Sequence, residues 1–162
     1  MNYWLTIHWP LYRDEKHDET EEYPEWKSWV FLADGYQHLG ESLQVGDHVL
    51  IYETASAPGK KCKGQFISAL PGRKAIIAHV RVDSPLRPDA NAGTDKYEDG
   101  RQICWEFRAK TKLVQPLQVD LANIRKVMGY KDRYGLRIRG GLRKINKTKF
   151  KALVASQPLA TR

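Results

Sequence analysis

Short apolar runs, some continuous and some alternating with polar residues, predict five or six short strands along the chain. The clearest are Asn2 to His8, Val49 to Glu53 and Ala75 to Val82, which are rich in aromatic and β-branched residues. The Gly46-Asp47 pair predicts a tight turn before the second of these strands. Apolar and charged residues alternate from Ile103 to Val114, which indicates a strand with one exposed face.

The segments between these strands give weaker local signals. Trp26 to Leu32 concentrates apolar bulk and is interpreted as one or two helical turns. Ala55 to Lys74 contains several Gly and Pro residues, which predicts a long loop or a loose hairpin with Gln65 to Ala69 paired. Asp89 to Gly100 is polar and turn-rich, and Tyr134 to Ile138 predicts one more short strand.

Two short helices are predicted in the C-terminal part of the chain. Asp120 can cap a helix that runs to about Met128, and a second helix begins near Asn146. Apolar residues recur along both segments at positions that can share one helix face. These residues are Leu121, Ile124 and Val127 in the first helix and Phe150, Leu153 and Val154 in the second.

The order of these elements predicts a single α+β domain over residues 1–156. At 162 residues the chain is long enough to bury a core without metal or disulfide staples. Short strands separated by long loops close into small barrels more readily than into doubly wound sheets. We therefore expect a β-barrel of five or six strands flanked by two or three short helices, with a frayed tail over residues 157–162.

Charge is distributed unevenly along the chain. Residues 1–53 contain 11 acidic and 3 basic residues, a net charge of −8, whereas residues 54–162 contain 24 basic and 8 acidic residues, a net charge of +16. Between Arg125 and Lys151 there are 11 Lys or Arg residues and a single acidic residue, Asp132. Such a density attracts a phosphate backbone, so DNA or RNA is the expected partner. The alternative is that the basic surface only keeps the protein soluble.

The familiar catalytic motifs are missing from the chain. It lacks the Gly-rich phosphate loops, the Gly-x-Ser-x-Gly elbow and the His-Glu-x-x-His zinc motif. Its five histidines have none of the short paired spacings of metal sites. The sequence therefore predicts a binding protein with no catalytic residues, no metal and no cofactor.

Cysteine use and the N-terminus bear on location. Cys62 and Cys104 form no Cys-x-x-Cys pair, and a reducing compartment is the default for such a chain. The N-terminus lacks a signal-peptide pattern, and no segment is apolar for long enough to span a bilayer. We expect a cytoplasmic protein without membrane contact.

Aromatic residues are the remaining candidates for recognition. Trp9, Trp29, Tyr36 and Tyr52 lie at the ends of predicted elements or in loops, where a side chain can face a cleft. Aromatic rings stack on unpaired bases for about 1–3 kcal/mol per base. For each ring the alternative is packing in the core, and Trp4 is expected to be a core residue.

A series of motifs follows one another along nearly the whole chain. Asn2 to Leu5 opens it, and Trp29 is followed by a turn that contains Gly. Val45 to Tyr52 then combines Val-Gly-Asp with an apolar run that ends in Tyr. Ile77 to Val80 and Trp105 to Arg108 complete the series. In order and spacing these motifs resemble EVE domains, members of the PUA-like superfamily that are related to YTH and ASCH domains.

The resemblance implies a twisted β-barrel whose pocket accepts one modified base turned out of the stack of DNA or RNA. Two segments that border this pocket in the family differ here. Ile7 to Pro10 replaces the usual Lys-Ser-Glu-Pro, and only Tyr36-Gln37 keeps the usual Arg-Asn-Tyr-Gln-Ala pattern. The resemblance therefore implies the pocket but does not identify its ligand.

On this resemblance, we expect the pocket in the N-terminal part and the phosphate contacts in the basic remainder. Trp9 and Trp29 would form stacking walls above Tyr52, while Asn2 and Gln37 would offer amide donors and acceptors to the base edge. The predicted base-binding residues are Asn2, His8, Trp9, Trp29, Tyr36, Gln37, Tyr52 and Glu53. The predicted phosphate-binding residues are Lys60, Lys61, Lys63, Arg73, Lys74, Arg133, Arg137, Arg139 and Arg143.

Three other functions stay open at this point. One is a PUA-like RNA-binding module that reads shape without selecting a modified base. The second is an ASCH-like hydrolase of a modified nucleoside. The third is a small-molecule or protein-interaction domain whose basic face is incidental.

Overall fold

The computed structural model describes residues 1–13, 29–130, 136 and 138–157, without the side chain of Arg139. Its strands are β1 (Tyr3–His8), β2 (Trp29–Leu32), β3 (His48–Glu53), β4 (Lys60–Cys62), β5 (Gln65–Ile67), β6 (Ala75–Val82), β7 (Arg87–Pro88), β8 (Thr94–Lys96), β9 (Gln102–Cys104), β10 (Phe107–Asp120) and β11 (Leu142–Ile145). Its α-helices are α1 (Leu121–Met128) and α2 (Lys147–Ala155), and short 3-10 helices cover Gln37–Gly40 and Arg139–Gly141.

Six of these strands form one curled sheet in the order β11-β1-β3-β6-β10-β2, with β7 paired to the start of β10. Strands β1 and β3 run parallel, and the other neighbours in this order are antiparallel. Two small hairpins, β4–β5 and β8–β9, lie outside this sheet. The curled half-barrel with its two short helices confirms the α+β class and the barrel-like sheet flanked by short helices that the sequence predicts.

Apolar side chains pack on both faces of the sheet. Leu5 and Leu50 belong to a helix-side core that includes residues of α1 and α2. Their neighbours Trp4 and Val49 belong to a second core, the barrel-side core, together with residues of β2 and β6. Because both faces are covered, strand β3 is a continuous apolar run instead of an alternating one.

A buried carboxylate fixes the start of β3 against β1. Asp47 is 1% exposed, and its Oδ1 accepts the backbone N–H of Asn2 at 2.9 Å. Its Oδ2 accepts the indole N–H of Trp4 at 3.0 Å and the backbone N–H of Gln44 at 2.9 Å. The Gly46-Asp47 turn predicted from the sequence therefore supplies a three-donor anchor between two strands.

Most of the predicted elements are confirmed. Strands occupy Tyr3–His8, His48–Glu53 and Ala75–Val82, and the helix after Asp120 runs from Leu121 to Met128 as expected. The Asp120 carboxylate accepts the N–H of Asn123 at 2.9 Å, which is the predicted N-cap. Asn146 caps α2 in the same way, through the N–H of Lys149 at 2.7 Å. Trp4, 2% exposed, lies in the core as expected.

The helical interpretation of Trp26 to Leu32 is wrong for its described part. Trp29–Leu32 is strand β2, in which buried Val30 and Leu32 alternate with half-buried Trp29 and Phe31. This strand pairs with the first four residues of β10. An apolar run this short has no periodicity that would distinguish a strand from a helix. Whether it forms a strand is decided by its pairing partner, here β10.

The strand predicted over Ile103 to Val114 is two strands in the structure. Strand β9 ends at Cys104 and β10 begins at Phe107, because the chain leaves the β8–β9 hairpin there to join the curled sheet. Strand β10 then continues past Pro116 to Asp120 through two register shifts. Proline is tolerated at such irregularities because the missing N–H removes no regular ladder bond.

Two further predictions lie mostly outside the described residues. The strand expected over Tyr134 to Ile138 falls on residues of which the structure describes 136 and 138, and neither is in a strand. The expected frayed tail falls on residues 157–162, of which 157 is described. In the described part of the chain, no helix has the length and apolarity needed to cross a membrane.

Buried His79 and half-buried His48 form a pair between the sheet and α2. Nδ1 of His48 lies 2.8 Å from Nε2 of His79, and the Phe150 ring of α2 packs 4.9 Å from the His79 ring. Burial, and then the charges of His48 and Arg81, lowers the pKa of His79 to about 4. Burial and Arg81 also lower the pKa of His48, against an opposing effect of Asp47.

We expect Asp47→Ala to lower the free energy of unfolding by about 3 kcal/mol or more, because it strands three donors that include the buried indole N–H of Trp4. Urea titration measures the change. Asp83→Asn is the matched control, since the Asp83 carboxylate forms an exposed ion pair with Lys112 at 3.6 Å. This variant should change the free energy of unfolding by less than about 1 kcal/mol. Similar losses in the two variants would contradict the anchoring role of Asp47.

We expect the histidine pair to make the fold less stable as the pH falls from about 6.5 to about 4. In this interval the unfolded chain takes up a proton at His79 that the folded chain does not accept, so the contribution of His79 is complete above pH 6.5 and disappears on acidification. The loss is at most about 3 kcal/mol. Urea titrations across this pH range should show that acidification lowers the free energy of unfolding less in His79→Gln than in the wild type. His38→Gln, at an exposed position, is the control. If His79→Gln lost as much stability on acidification as the wild type, His79 would not be the source of the pH dependence.

Candidate functional site

Three aromatic rings meet where β1 ends. Trp9 is half-buried and follows His8, the last residue of β1. Its ring lies 4.9 Å from Tyr97 and 5.9 Å from Trp105, at interplanar angles of 84° and 86°. We call Trp9, Tyr97 and Trp105 the aromatic site.

A hydrogen bond orients two of these rings. The indole N–H of Trp105 donates to the Tyr97 hydroxyl at 3.0 Å. The hydroxyl in turn makes a long contact of 3.5 Å with Asp95. Burial raises the pKa of Tyr97 to about 12, so its hydroxyl stays protonated and neutral. The site therefore presents aromatic surface without adding an anion.

The β8–β9 hairpin positions Tyr97 beneath Trp9. The hairpin turns at Asp99-Gly100, where Gly100 has a φ of 92° and the Asp99 side chain accepts the N–H of Arg101 at 3.0 Å. The N–H of Tyr97 donates to the carbonyl of Arg101 at 2.9 Å across the turn. A bridge between Tyr97 and Lys60 joins this hairpin to the β4–β5 hairpin, so the two hairpins lie side by side next to the aromatic site.

The chain leaves β1 through a tightly packed backbone. The N–H of Thr54 donates to the carbonyl of His8 at 3.0 Å, and the N–H of Gly72 donates to the carbonyl of Ala55 at 2.9 Å. A Cβ at Gly72 would overlap the carbonyl oxygen of Thr54 and touch the ring of Pro10. The path from His8 into Trp9 is therefore fixed by its neighbours on β3 and on the segment before β6.

Cations surround the aromatic residues at this end of the sheet. The guanidinium of Arg101 lies 5.2 Å from the centre of the Trp9 ring, and it also pairs with Asp99 at 2.7 Å. The ammonium of Lys60 lies 4.8 Å from the centre of the Tyr12 ring. Both contacts leave positive charge at the rim of the aromatic site, where a polyanion can reach it.

A second aromatic contact lies on the other side of the end of β1. The ring of His8 is 5.8 Å from that of Phe31 on β2. This contact joins β1 to β2, the strand at the far edge of the sheet. Arg108 covers the Phe31 ring at 5.4 Å and pairs with Asp89 at 3.1 Å. His8 and Phe31 therefore extend the aromatic surface from Trp9 toward β2.

Three of the predicted base-binding residues are brought together. His8 and Glu53 are opposite each other in the parallel register of β1 and β3, and Trp9 follows His8 directly. Glu53 accepts the backbone N–H of Arg73 at 2.9 Å. Trp29 lies two residues from Phe31 on the same face of β2, which places it farther along the surface that contacts His8.

Two other predicted base-binding residues lie elsewhere. Tyr52 is 2% exposed and belongs to the helix-side core, so it does not form the floor of an open cleft. Asn2 precedes β1 at the end of the strand opposite His8, where its side-chain N–H donates to the carbonyl of Ser42 at 3.3 Å. Neither Tyr52 nor Asn2 is therefore brought to the aromatic site: one packs in the core and the other fixes a turn.

Tyr36 lines a separate depression, next to Gln37 in the chain. Gln37 is exposed at the start of a 3-10 helix, and the Tyr36 ring lies 6.4 Å from that of His38. Gly35, Tyr36, His38 and Leu39 line a shallow depression of about 560 Å³. Tyr36 also lies against Gly140, where an added Cβ would come within 2.6 Å of the tyrosine ring.

The predicted phosphate-binding residues fall into two groups. Lys60, Lys61, Lys63, Arg73 and Lys74 lie in the β4–β5 hairpin or just before β6, and all but the half-buried Lys60 are exposed. Arg143 lies on β11, where it donates to the Tyr130 hydroxyl at 2.6 Å. Arg133, Arg137 and the side chain of Arg139 lie outside the described residues.

The residues that the sequence reasoning missed come from one segment. Tyr97, Arg101 and Trp105 all belong to the region around the β8–β9 hairpin, where the sequence predicts a turn-rich segment from Asp89 to Gly100 and a strand from Ile103. The signal was present, because Asp99-Gly100 between two short runs is a strong indication of a hairpin. Recognising that hairpin would have placed Tyr97 and Trp105 close together, but not against Trp9.

The described residues include no cluster of three or more His, Cys, Asp and Glu side chains that could hold a metal ion. Both cysteines are free, with Cys62 exposed and Cys104 half-buried. What the site offers is therefore aromatic surface, hydrogen-bonding groups and positive charge.

Comparisons with known proteins place the fold. No protein-family model matches the chain, and no curated protein matches it in sequence. Rpa0253 from Rhodopseudomonas palustris has a similar structure, with a TM-score of 0.55, 14% identity, and coverage of 100% of this chain and 97% of that one. A protein from Pseudomonas putida follows, with a TM-score of 0.52, 15% identity, and coverage of 94% and 97%.

The structure of human THYN1 in complex with DNA that contains 5-methylcytosine is also similar. The TM-score is 0.50 and the identity 13%, with 96% of each chain covered. At identities this low the similarity shows a common fold and no more. The protein described here therefore shares its fold with these three proteins over nearly the whole length of the chain.

Proposed function

We propose that this protein binds nucleic acid and receives one modified, unstacked base at the aromatic site. The observation that carries the proposal is the position of Trp9, which is half-buried and held edge-on by Tyr97 and Trp105 with a cation over its ring. A ring fixed in this way offers a preformed stacking surface. Because its neighbours are already ordered, binding costs little further side-chain entropy.

Arg101 acts as an exchangeable cover of Trp9. Its side chain is 54% exposed, and a cation–π contact at an exposed position is worth about 0.5–1 kcal/mol. Stacking of a base on an aromatic ring is worth about 1–3 kcal/mol. A base can therefore displace the guanidinium from the ring, and the freed cation is then placed to meet the phosphate that follows the base.

His8 and Glu53 are polar groups that adjoin this surface along the chain and the sheet. Both are buried, and they lie opposite each other where β1 ends. They take over the edge-reading role that the sequence suggested for Asn2 and Gln37. Buried polar groups discriminate strongly between ligands because a mismatched partner leaves them without a hydrogen bond.

The cationic hairpin beside the aromatic site supplies the phosphate contacts. Lys61 and Lys63 are exposed in this hairpin, and Arg73 and Lys74 are exposed just before β6. None of the four forms an ion pair within the described part of the chain. Their contribution is independent of sequence and depends on salt. The non-selective affinity for phosphates and the selectivity for the base therefore come from neighbouring but different groups.

The similar fold of human THYN1 supports the proposal, since that protein was solved in complex with DNA containing 5-methylcytosine. At 13% identity the fold carries over and the ligand does not. Methylated cytosine is consequently the first modified base to test, in both DNA and RNA.

We expect Trp9→Ala to remove the preference for a modified base. With matched oligonucleotides that contain 5-methylcytosine or cytosine, the ratio of the two Kd values should fall by about tenfold, the effect of losing one stacking ring. The affinity for the unmodified oligonucleotide should change by less than about threefold, because phosphate contacts dominate it. Fluorescence anisotropy measures both.

Tyr36→Ala is the matched control for Trp9→Ala, since Tyr36 is a half-buried aromatic residue in the separate depression. It should leave the preference unchanged. Loss of preference in Tyr36→Ala but not in Trp9→Ala would move the base site to that depression. Equal binding of modified and unmodified oligonucleotides by the wild type would reduce the function to non-selective binding.

We expect the double variant Lys61→Ala/Lys63→Ala to weaken binding to all duplex sequences alike. The slope of log K against log salt should become shallower by about 1.8, or 0.9 for each lost phosphate contact. The control is Lys147→Ala/Lys151→Ala, which removes two exposed charges from α2. If the helix variant lost as much as the hairpin variant, the phosphate contacts would have to be distributed over the whole basic surface.

A further inference from the structure

The β4–β5 hairpin exposes an aromatic ring that the aromatic site does not use. Among the described residues, the exposed large hydrophobic side chains are Met1, Val45, Phe66, Leu113 and Val114. Phe66 is the aromatic member of this group, and it is 51% exposed. It is also the one that stands within a run of positive charge.

The geometry of the hairpin determines where Phe66 points. Lys63 and Gly64 have φ values of 50° and 81°, which is the pattern of a tight type I′ turn. Phe66 is opposite Lys61, and Ile67 is opposite Lys60. Opposite residues of an antiparallel pair share one face, so Phe66 and Lys61 lie on the same face.

The two faces of the hairpin have different surroundings. Lys60 and Ile67 are half-buried, and Lys60 contacts the Tyr12 ring and pairs with Tyr97. Lys61 and Phe66 are exposed. The hairpin therefore rests on the protein through one face and presents Phe66 and Lys61 to solvent on the other.

The hairpin is close to the aromatic site. Lys60 pairs with Tyr97, and the Tyr97 ring is 4.9 Å from Trp9. With a strand spacing of about 5 Å, the backbone of Phe66 lies two strands, on the order of 10 Å, from that of Tyr97. Phe66 therefore points to solvent from a hairpin that borders the aromatic site.

The charge of the segment indicates the occupant. Residues 60–74 include five Lys or Arg residues and no Asp or Glu. An exposed ring among cations matches a ligand with apolar flat surfaces between phosphates. Base steps in a duplex have this chemistry, and apolar side chains are known to wedge into them.

We propose that Phe66 fills the space left in a duplex when one base is turned out toward the aromatic site, while Lys61 and Lys63 hold the flanking phosphates. This inference rests on the proposed function and adds a second element to it. A base that leaves its stack exposes the faces of its two neighbours. A ring inserted between those faces restores stacking and holds the extruded base out.

The test compares two forms of the same ligand. The probe is an oligonucleotide with one central 5-methylcytosine, used as a single strand and as a duplex. Phe66→Ala should weaken duplex binding by about tenfold and single-strand binding by less than about threefold, because a single strand has no vacated position to fill. Phe66→Trp keeps a ring and should retain duplex binding.

Leu113→Ala is the matched control, since it removes an exposed apolar side chain from β10. It should leave both affinities unchanged. A second readout is 2-aminopurine placed next to the 5-methylcytosine. The fluorescence of this base should be higher in the Phe66→Ala complex than in the wild-type complex, because the inserted ring no longer stacks on it.

The outcomes separate this inference from the proposed function. If the wild type binds the duplex and Phe66→Ala binds it equally well, the wedge is refuted while base binding stands. Equal losses on single strand and duplex would make Phe66 a general contact and also overturn the wedge. If Phe66→Ala lost binding to phosphatidylserine vesicles while its affinity for the duplex stayed unchanged, the hairpin would be assigned to a lipid surface instead. If the wild type binds neither form, both proposals fall together.

Discussion

The buried carboxylate of Asp47 is the constraint on which the rest of the molecule depends. Its three donors come from the residue before β1, from β1 itself and from the turn before β3, so it sets the register of the parallel pair. A slip of one residue would exchange the two faces of β1. Trp4 would then leave the barrel-side core, and the chain beyond His8 would emerge in the wrong direction. The position of Trp9 is thus decided at the opposite end of its strand.

The aromatic site combines a rigid support with loops that carry the recognition surface. Trp9 comes directly from a central strand, whereas Tyr97 and Trp105 come from a hairpin region outside the main sheet. Loops on a fixed scaffold are where binding residues usually lie. In this arrangement the sheet fixes one ring and the hairpin supplies the others. The chemistry of the surface can therefore change through the hairpin while the sheet stays the same.

How much the sequence predicts depends on how local the determining interactions are. The caps Asp120 and Asn146 act within four residues, so both helices were placed correctly. The faces of β3 were not readable, because all but the first of its residues are buried and no alternation distinguishes them. Tyr52 was therefore expected in the pocket, although it packs in the helix-side core. Trp9 contacts Tyr97 and Trp105, which are almost a hundred positions away along the chain. Contacts of such long range leave no local sequence pattern from which they could be predicted.

The closure at Gly72 brings together the two ends of the stretch from Ala55 to Gly72. This stretch leaves the sheet after β3 and returns to nearly the same point, where Gly72 donates to the carbonyl of Ala55. The neighbouring carbonyl of Thr54 leaves no room there for any side chain. An excursion whose ends already meet can change length at its tip with little cost in closure entropy. Its base is held more firmly, since Leu70 donates to the carbonyl of Leu11 and Arg13 donates to that of Ser68. The turn at Lys63 and Gly64 is therefore the part that proteins built on the same sheet are free to vary.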